Sequence, residues 1–260
     1  MPVPEVSSKS IAELVSLDGR TALVTGGARG LGAAIARELA AAGATGSVVD
    51  LEAGDTPAGW AALAADVTAE ETVAAAFAET VERFGRLDIV VANAGIVPPW
   101  SETDELDLAE LDAVFAVNVR GVAATLKHGV AALSEGGGSI VVMASLNAWR
   151  AHRSQPVYTA SKHAVLGLIR TAALDAGRSG IRVNGLAPGP ILTDALRARF
   201  ERRAAEGGLA VDRAIAEAGA GTALGRMATE EDVARAALFL ASDLSAGITG
   251  ALIPVDAGVL

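Results

Sequence analysis

Tyr158 is the only tyrosine in the chain, and Lys162, one of three lysines beside eighteen arginines, follows it by four residues in the stretch YTASK. On a helix entered at Ser154 and Pro156, that spacing puts both side chains on one face. A free phenol titrates near about 10 and is a poor base at neutral pH, but an ammonium within ~4–6 Å favours the phenolate. The pair therefore suits proton transfer to or from an alcohol oxygen. Ser145, thirteen residues before Tyr158, ends an apolar run and can hydrogen-bond the same oxygen; Asn118 is a fourth polar candidate. An amphipathic helix with an incidental Tyr/Lys pair is the competing reading of YTASK taken alone.

A second cluster sits near the start of the chain, where TGGARGLG (25–32) follows an apolar run and opens into an alanine-rich segment. Gly26, Gly30 and Gly32 allow a tight turn and a close backbone approach, with a helix N-terminus offering free N–H groups to a pyrophosphate. The spacing is G-x-x-x-G-x-G rather than the general G-x-G-x-x-G, so a ligand-free turn competes with the dinucleotide reading. Asp50 ends the next apolar run, eighteen residues after Gly32, where a carboxylate can accept from ribose hydroxyls and repel a 2′-phosphate. This favours NAD over NADP. An Asp capping the following turn is the plainer alternative. Arg29 pulls the other way, toward a 2′-phosphate or simply toward the pyrophosphate.

These residues need a scaffold, and the alternation of short apolar runs with helix-period segments predicts one: an α/β fold with a doubly wound parallel sheet in three layers. The expected strands are 21–25, 46–50, 61–65, 87–93, 138–145, 181–187 and 251–256, and the expected helices 31–42, 69–84, 108–133, 156–178 and 230–241. Only ten residues, LEAGDTPAGW, join the second and third strands, too few for an ordinary helical crossover. That connection is expected to carry little or no helix and to leave its face of the sheet thinly covered. No repeat or linker divides the chain, so residues 17–260 read as a single domain preceded by an arm, 1–16.

Composition excludes several chemistries. There is no cysteine, hence no disulfide, thiolate metal site or cysteine nucleophile, and a reducing compartment is compatible. No metal site is expected. A net charge of -10 argues against a nucleic-acid or anionic-membrane footprint. No 18-residue apolar run is present, and the first sixteen residues do not read as a secretory signal. The expected setting is cytoplasmic.

With these motifs in order, the chain from Leu17 to Leu260 resembles the short-chain dehydrogenase/reductases. The match runs through TGGARGLG, ADV (65–67), NAG (93–95), NV (118–119), Ser145, YTASK, PGPILT (188–193) and the terminal ITG…VDAG. The resemblance implies a Rossmann-like seven-stranded sheet, a nicotinamide cofactor and an Asn118-Ser145-Tyr158-Lys162 tetrad. Tyr158 would be the general acid/base and Ser145 would orient the substrate oxygen. Lys162 would lower the tyrosine pKa and bind the nicotinamide ribose, and Asn118 would hold a water of a proton relay. Gly26, Arg29, Gly30, Leu31 and Gly32 would line the pyrophosphate, with Asp50 and Leu51 at the adenosine ribose. Asp66 and Val67 would contact adenine, Asn93 and Gly95 the adenosine side, and Ile191 and Thr193 the carboxamide. The sequence departs from the family pattern at the short 51–60 crossover, Ala92, Ala144 and DAG (256–258), none of them in the tetrad.

Trp100 and Trp149 are expected to wall an apolar pocket for a hydrophobic or cyclic secondary alcohol, and Arg150, His152 and Arg153 are candidates for meeting an anionic substrate. Residues 194–224 resemble the family's substrate lid; its charges are expected on an exposed face, paired as Arg197–Glu201 and Arg202–Glu206, with apolar and small residues toward the substrate. The family resemblance implies a homotetramer built on helices 108–133 and 156–178. The sequence thus points to hydride transfer between NAD(H) and a secondary alcohol or ketone. The rivals are an NADPH-dependent ketoreductase on an acyl or polyketide-like substrate and a non-catalytic NAD(H)-binding scaffold or redox sensor.

Overall fold

Runs such as ALV (22–24) and IVVA (89–92) are apolar at every position, which suits strands covered on both faces rather than one. The computed structural model, which describes residues 8–133 and 136–259, turns seven such runs into β1 Thr21–Thr25, β2 Thr45–Asp50, β3 Ala61–Ala64, β4 Ile89–Ala92, β5 Gly138–Met143, β6 Ile181–Pro188 and β7 Leu252–Val255. The helices are α1 Ile11–Val15, α2 Gly30–Ala41, α3 Glu70–Phe84, α4 Leu108–Phe115, α5 Val122–Leu133, α6 Pro156–Gly177, α7 Asp194–Ala205, α8 Val211–Ala220 and α9 Glu230–Ala241. All neighbouring strands pair parallel, in the order β3-β2-β1-β4-β5-β6-β7. The chain winds outward from β1 to β3, then returns to β4 on the other side of β1. That reversal opens a crevice at the carboxyl ends of β1 and β4, where doubly wound sheets bind ligands.

Two apolar cores form the layers. One joins the sheet to α3, α5 and α6 through residues such as Phe77, Leu126 and Ile169; the other joins it to α2 and α9 through Ile35, Leu39 and Leu240. The architecture is a seven-stranded, single-domain Rossmann-like α/β/α sandwich, as its sequence predicts. Residues 51–60 contain no helix. Trp60, buried in the second core with its indole Nε1 donating to Ala44 O at 3.0 Å, covers part of that face, but Ala62 and Ala64 on the same side of β3 are exposed, so the cover is thin at the sheet edge. One aromatic side chain occupies space that a short crossover leaves open.

Three expectations change. The single helix 108–133 is interrupted by a π-helical turn, Ala116–Gly121, which separates α4 from α5 and contains Asn118. Periodicity does not reveal such a widened turn, which recurs at functional sites. Neither Arg197–Glu201 nor Arg202–Glu206 forms; the i,i+4 ion pair among the described residues is Arg213–Glu217 on α8, at 3.1 Å. Exposed pairs of long side chains gain little, so spacing alone does not enforce them. Within the arm, α1 is closed by a Ser10–Glu13 capping box, and Lys9 reaches Asp243 at 2.9 Å. Residues 1–7 and Leu260 lie outside the described residues.

Candidate active site

At the phosphate end, backbone meets backbone. Gly26 has φ +62°, and a Cβ there would lie 2.7 Å from Ala94 Cα; one on Gly32 would lie 2.1 Å from Gly26 O. Only hydrogen at both positions lets the loop, the start of α2 and the end of β4 come together. Asn93 fastens this contact, its Nδ2 donating to Gly26 O at 2.7 Å and Thr25 O at 3.1 Å. Asp50 accepts from Ala28 N at 3.0 Å and from Leu51 N at 2.8 Å, which fixes its carboxylate beside the loop. Leu51 and Arg29 are exposed; Gly30 and Leu31 open α2. Asp66 accepts from Thr68 N at 2.9 Å, and Val67 is buried against Gly121 of the π turn. A side-chain-free cradle at a helix N-terminus, with a fixed carboxylate one strand away, fits a dinucleotide.

At the chemical end, four elements converge. Asn118 is buried; its Oδ1 accepts from Ile96 N at 2.8 Å, and its Nδ2 donates to Ile96 O at 2.9 Å and Ser161 Oγ at 3.3 Å. Ser161 in turn donates to Tyr158 O at 2.8 Å, so Asn118 ties the loop after β4 to α6. A Cβ on Gly95 would lie 3.3 Å from Asn118 Oδ1 and 3.8 Å from Lys162 Nζ, which brings the NAG segment against the tetrad. Lys162 is buried, with Nζ donating to Met143 O at 2.9 Å and 5.6 Å from the Tyr158 ring centroid. Burial pushes its pKa down to about 8.

Ser145 accepts from Asn147 N at 3.2 Å, which leaves its hydroxyl proton free. That hydroxyl lies beside the Tyr158 hydroxyl and favours the phenolate. Tyr158 is half-buried, yet desolvation is the dominant effect and pushes its pKa up, against the opposing pull of Ser145 and the Arg199 charge. The expectation from spacing was a lowered value. Burial reverses it here, and the Lys162 ammonium is turned to the Met143 carbonyl.

Ile191 is buried and bridges to Ala228, while Thr193 caps α7 by accepting from Leu196 N at 3.1 Å. The indole of Trp100 stacks on Phe200 of α7, with ring centroids 6.4 Å apart, and Arg199 Cζ lies 4.0 Å from its centroid. Trp149 is 41% exposed. Arg150, His152 and Arg153 are exposed too, with Arg150 donating to Val259 O at 3.3 Å.

A family model described as enoyl-(acyl carrier protein) reductase matches residues 26–260. Short-chain dehydrogenase reductase 3a of Arabidopsis thaliana is 39% identical over 256 residues, covering 93% of this chain and 95% of its own. The chain belongs to the short-chain dehydrogenase/reductase family. Cis-4-hydroxycyclohexanecarboxylate dehydrogenase of Sinomonas cyclohexanicum is also 39% identical, over 249 residues, covering 92% of this chain and 96% of its own. Among solved structures, carveol dehydrogenase from Mycobacterium avium in complex with NAD superposes with a TM-score of 0.86 at 29% identity, covering 94% and 98% of the two chains. As a short-chain dehydrogenase/reductase, the protein is an oxidoreductase of CH–OH groups that uses a nicotinamide cofactor. None of its described helices is long and apolar enough to cross a membrane.

Three residues of this family member escaped the sequence reading. Asn147 donates to Gln155 Oε1 at 2.8 Å and Thr159 Oγ1 at 3.1 Å, bracing the Ser145 turn against α6. Turned over, the Gln155 amide oxygen instead accepts from Arg199 Nη2 and Trp100 Nε1, both at 3.1 Å. Arg199 stands inward on a helix most of whose charges are expected from sequence to face solvent. Nothing in the text RARFERR distinguishes it from its neighbours, because only packing against Trp100 selects which arginine turns in.

Proposed function

We propose that the protein is an NAD-dependent dehydrogenase that interconverts a cyclic secondary alcohol and its ketone, with Tyr158 as general acid/base. The observation that carries this reading is the meeting of the Tyr158 and Ser145 hydroxyls above the buried Lys162 ammonium. In the reducing direction, the protonated Tyr158 donates to the carbonyl oxygen, while Ser145 hydrogen-bonds that oxygen and polarises it. In the oxidising direction, the physiological one where cellular NAD is mostly oxidised, Tyr158 takes the carbinol proton. It does so as a phenolate that Lys162, Ser145 and Arg199 stabilise beforehand, and the phenol so formed passes the proton out through Lys162 and the Asn118 relay, which restores the phenolate.

When bound, NAD(H) accepts or supplies the hydride. Gly26, Arg29, Gly30, Leu31 and Gly32 would hold its pyrophosphate, Asp50 and Leu51 its adenosine ribose, Asp66, Val67, Asn93 and Gly95 its adenine side. Tyr158 and Lys162 would hold the second ribose, and Ile191 and Thr193 the carboxamide. NAD rather than NADP is supported by the fixed carboxylate of Asp50 and by the NAD complex of carveol dehydrogenase. A cyclic substrate is supported by the apolar side chains Ile96, Val97, Trp149 and Leu192 left exposed at the carboxyl ends of β4, β5 and β6, and by the hydroxycyclohexane in the name of one relative. Residues 194–224 form the lid and residues 8–16 belong to an arm of a cytoplasmic homotetramer. Leu108 and Leu174, 68% and 83% exposed on α4 and α6, are available to the assembly.

Tyr158→Phe tests the mechanism with a panel of secondary alcohols followed by NADH absorbance. The expected loss is about 10²–10⁴-fold in kcat. A variant as fast as the parent overturns the role of Tyr158, and a parent that binds NAD(H) but turns over no alcohol or ketone is a non-catalytic binder.

A further inference from the structure

The geometry points to Arg199 as the anchor for a carboxylate on the substrate, which makes the preferred substrate a hydroxy or oxo carboxylic acid whose reacting carbon meets Tyr158 and Ser145. The inference rests on the alcohol/ketone reading above and names its substrate class. α7 carries the Arg199 guanidinium close enough to the catalytic hydroxyl for its charge to act on Tyr158. The guanidinium Cζ lies 4.0 Å from the Trp100 ring centroid, and with its amide turned over Gln155 accepts from Nη2 at 3.1 Å. The rest of the fork is unmatched. Nε is buried without a hydrogen-bond partner, and among the described residues no Asp or Glu lies within ion-pair distance of Arg199.

A cation taken from water and left unpaired is unfavourable, and burial already pushes the Arg199 pKa down. Two further arginines reinforce the local sign. Arg203 Cζ lies 5.1 Å from the Trp100 centroid, and the charge of Arg202 acts on Arg199. A lid face this positive, in a chain of net charge -10, is a local inversion that draws an anion toward Tyr158. A planar guanidinium with free donors matches a carboxylate better than it matches a hydroxyl or carbonyl. A neutral cyclic alcohol would leave the fork unmatched, whereas a ring bearing a carboxylate completes it.

The competing role for Arg199 is a latch that only holds the lid to Trp100, or a charge that only tunes Tyr158. Either would act alike on charged and neutral substrates. The test is therefore a ratio: kcat/KM for 4-hydroxycyclohexanecarboxylate divided by that for its methyl ester, both with NAD, in the parent, Arg199→Lys and Arg199→Met. The parent should prefer the acid. Arg199→Met should lower the ratio by about 100-fold, the scale of losing one buried charge partner, and Arg199→Lys should fall between. Competitive inhibition by cyclohexanecarboxylate, against cyclohexanecarboxamide, should weaken in the same order. An unchanged ratio in both variants, or a parent that prefers the ester, overturns the assignment while leaving the dehydrogenase reading intact. A parent inert to acid, ester and every neutral secondary alcohol overturns that reading itself.

Discussion

The phosphate end of the crevice is held by main chain: Gly26, Gly32 and Ala94 touch through atoms that carry no side chain, and Asn93 and Asp50 bond to backbone groups. The chemical end is held by side chains that titrate, with Lys162 and the Tyr158 hydroxyl removed from water and Arg199 turned in beside them. The first arrangement tolerates no added atom at Gly26 or Gly32. The second accepts destabilising burial of ionisable groups in return for groups whose protonation can change during the reaction. Binding and chemistry are thus separated along one sheet edge by the kind of atom used.

The largest effect is expected where this contrast is sharpest, at Lys162. Lys162→Met should lower kcat by about 10²–10⁴-fold, because the proton path loses its ammonium. Its stability should move the other way. The folded pKa of about 8 lies below the ordinary lysine value, so the folded state binds fewer protons than the unfolded state between those two values. The parent therefore carries the full penalty below pH ~8 and is relieved of it as pH rises to ~10.5. The methionine variant should be more stable at pH 7 by up to about 3 kcal/mol and should lose that advantage by pH ~10.5. Denaturant melts at the two pH values check this, and a difference independent of pH would mean that Lys162 is not a buried titrating group.

Gly32→Ala probes the opposite end. The added carbon meets the Gly26 carbonyl oxygen, a backbone atom that cannot swing away. A destabilisation of about 1–3 kcal/mol is expected, together with NADH affinity weaker by roughly 10–100-fold. Fluorescence titration and thermal melts measure the two, and the profile of kcat against pH should keep its shape. A shifted profile would show that the two ends are coupled. The smallest effect is expected from Asp50→Ala, which should move the NAD/NADP preference by about tenfold toward NADP with little change in kcat for the saturated enzyme. An unmoved preference would pass the role of cofactor discriminator to Arg29.

Much of the phosphate end is legible in the text. TGGARGLG, Asp50 and the short 51–60 connection each act within a few residues or one strand spacing, and their structural placement follows from local rules. The seven strands are legible for the same reason, since a strand buried on both faces is a continuous apolar run. The π turn at Asn118, the plug made by Trp60 and the selection of Arg199 from RARFERR are not legible, because each depends on what a distant element presents.

The sequence by itself determined the family, the layered sheet and the identities of the polar groups at the site, because glycine loops, apolar periods and the Tyr158/Lys162 spacing are short-range patterns. Only the tertiary structure decided the electrostatic state of those groups. Whether Tyr158 is raised or lowered depends on how much water remains and which way the Lys162 ammonium points, and both are set by Met143, Arg199 and Trp100 arriving from separate parts of the chain.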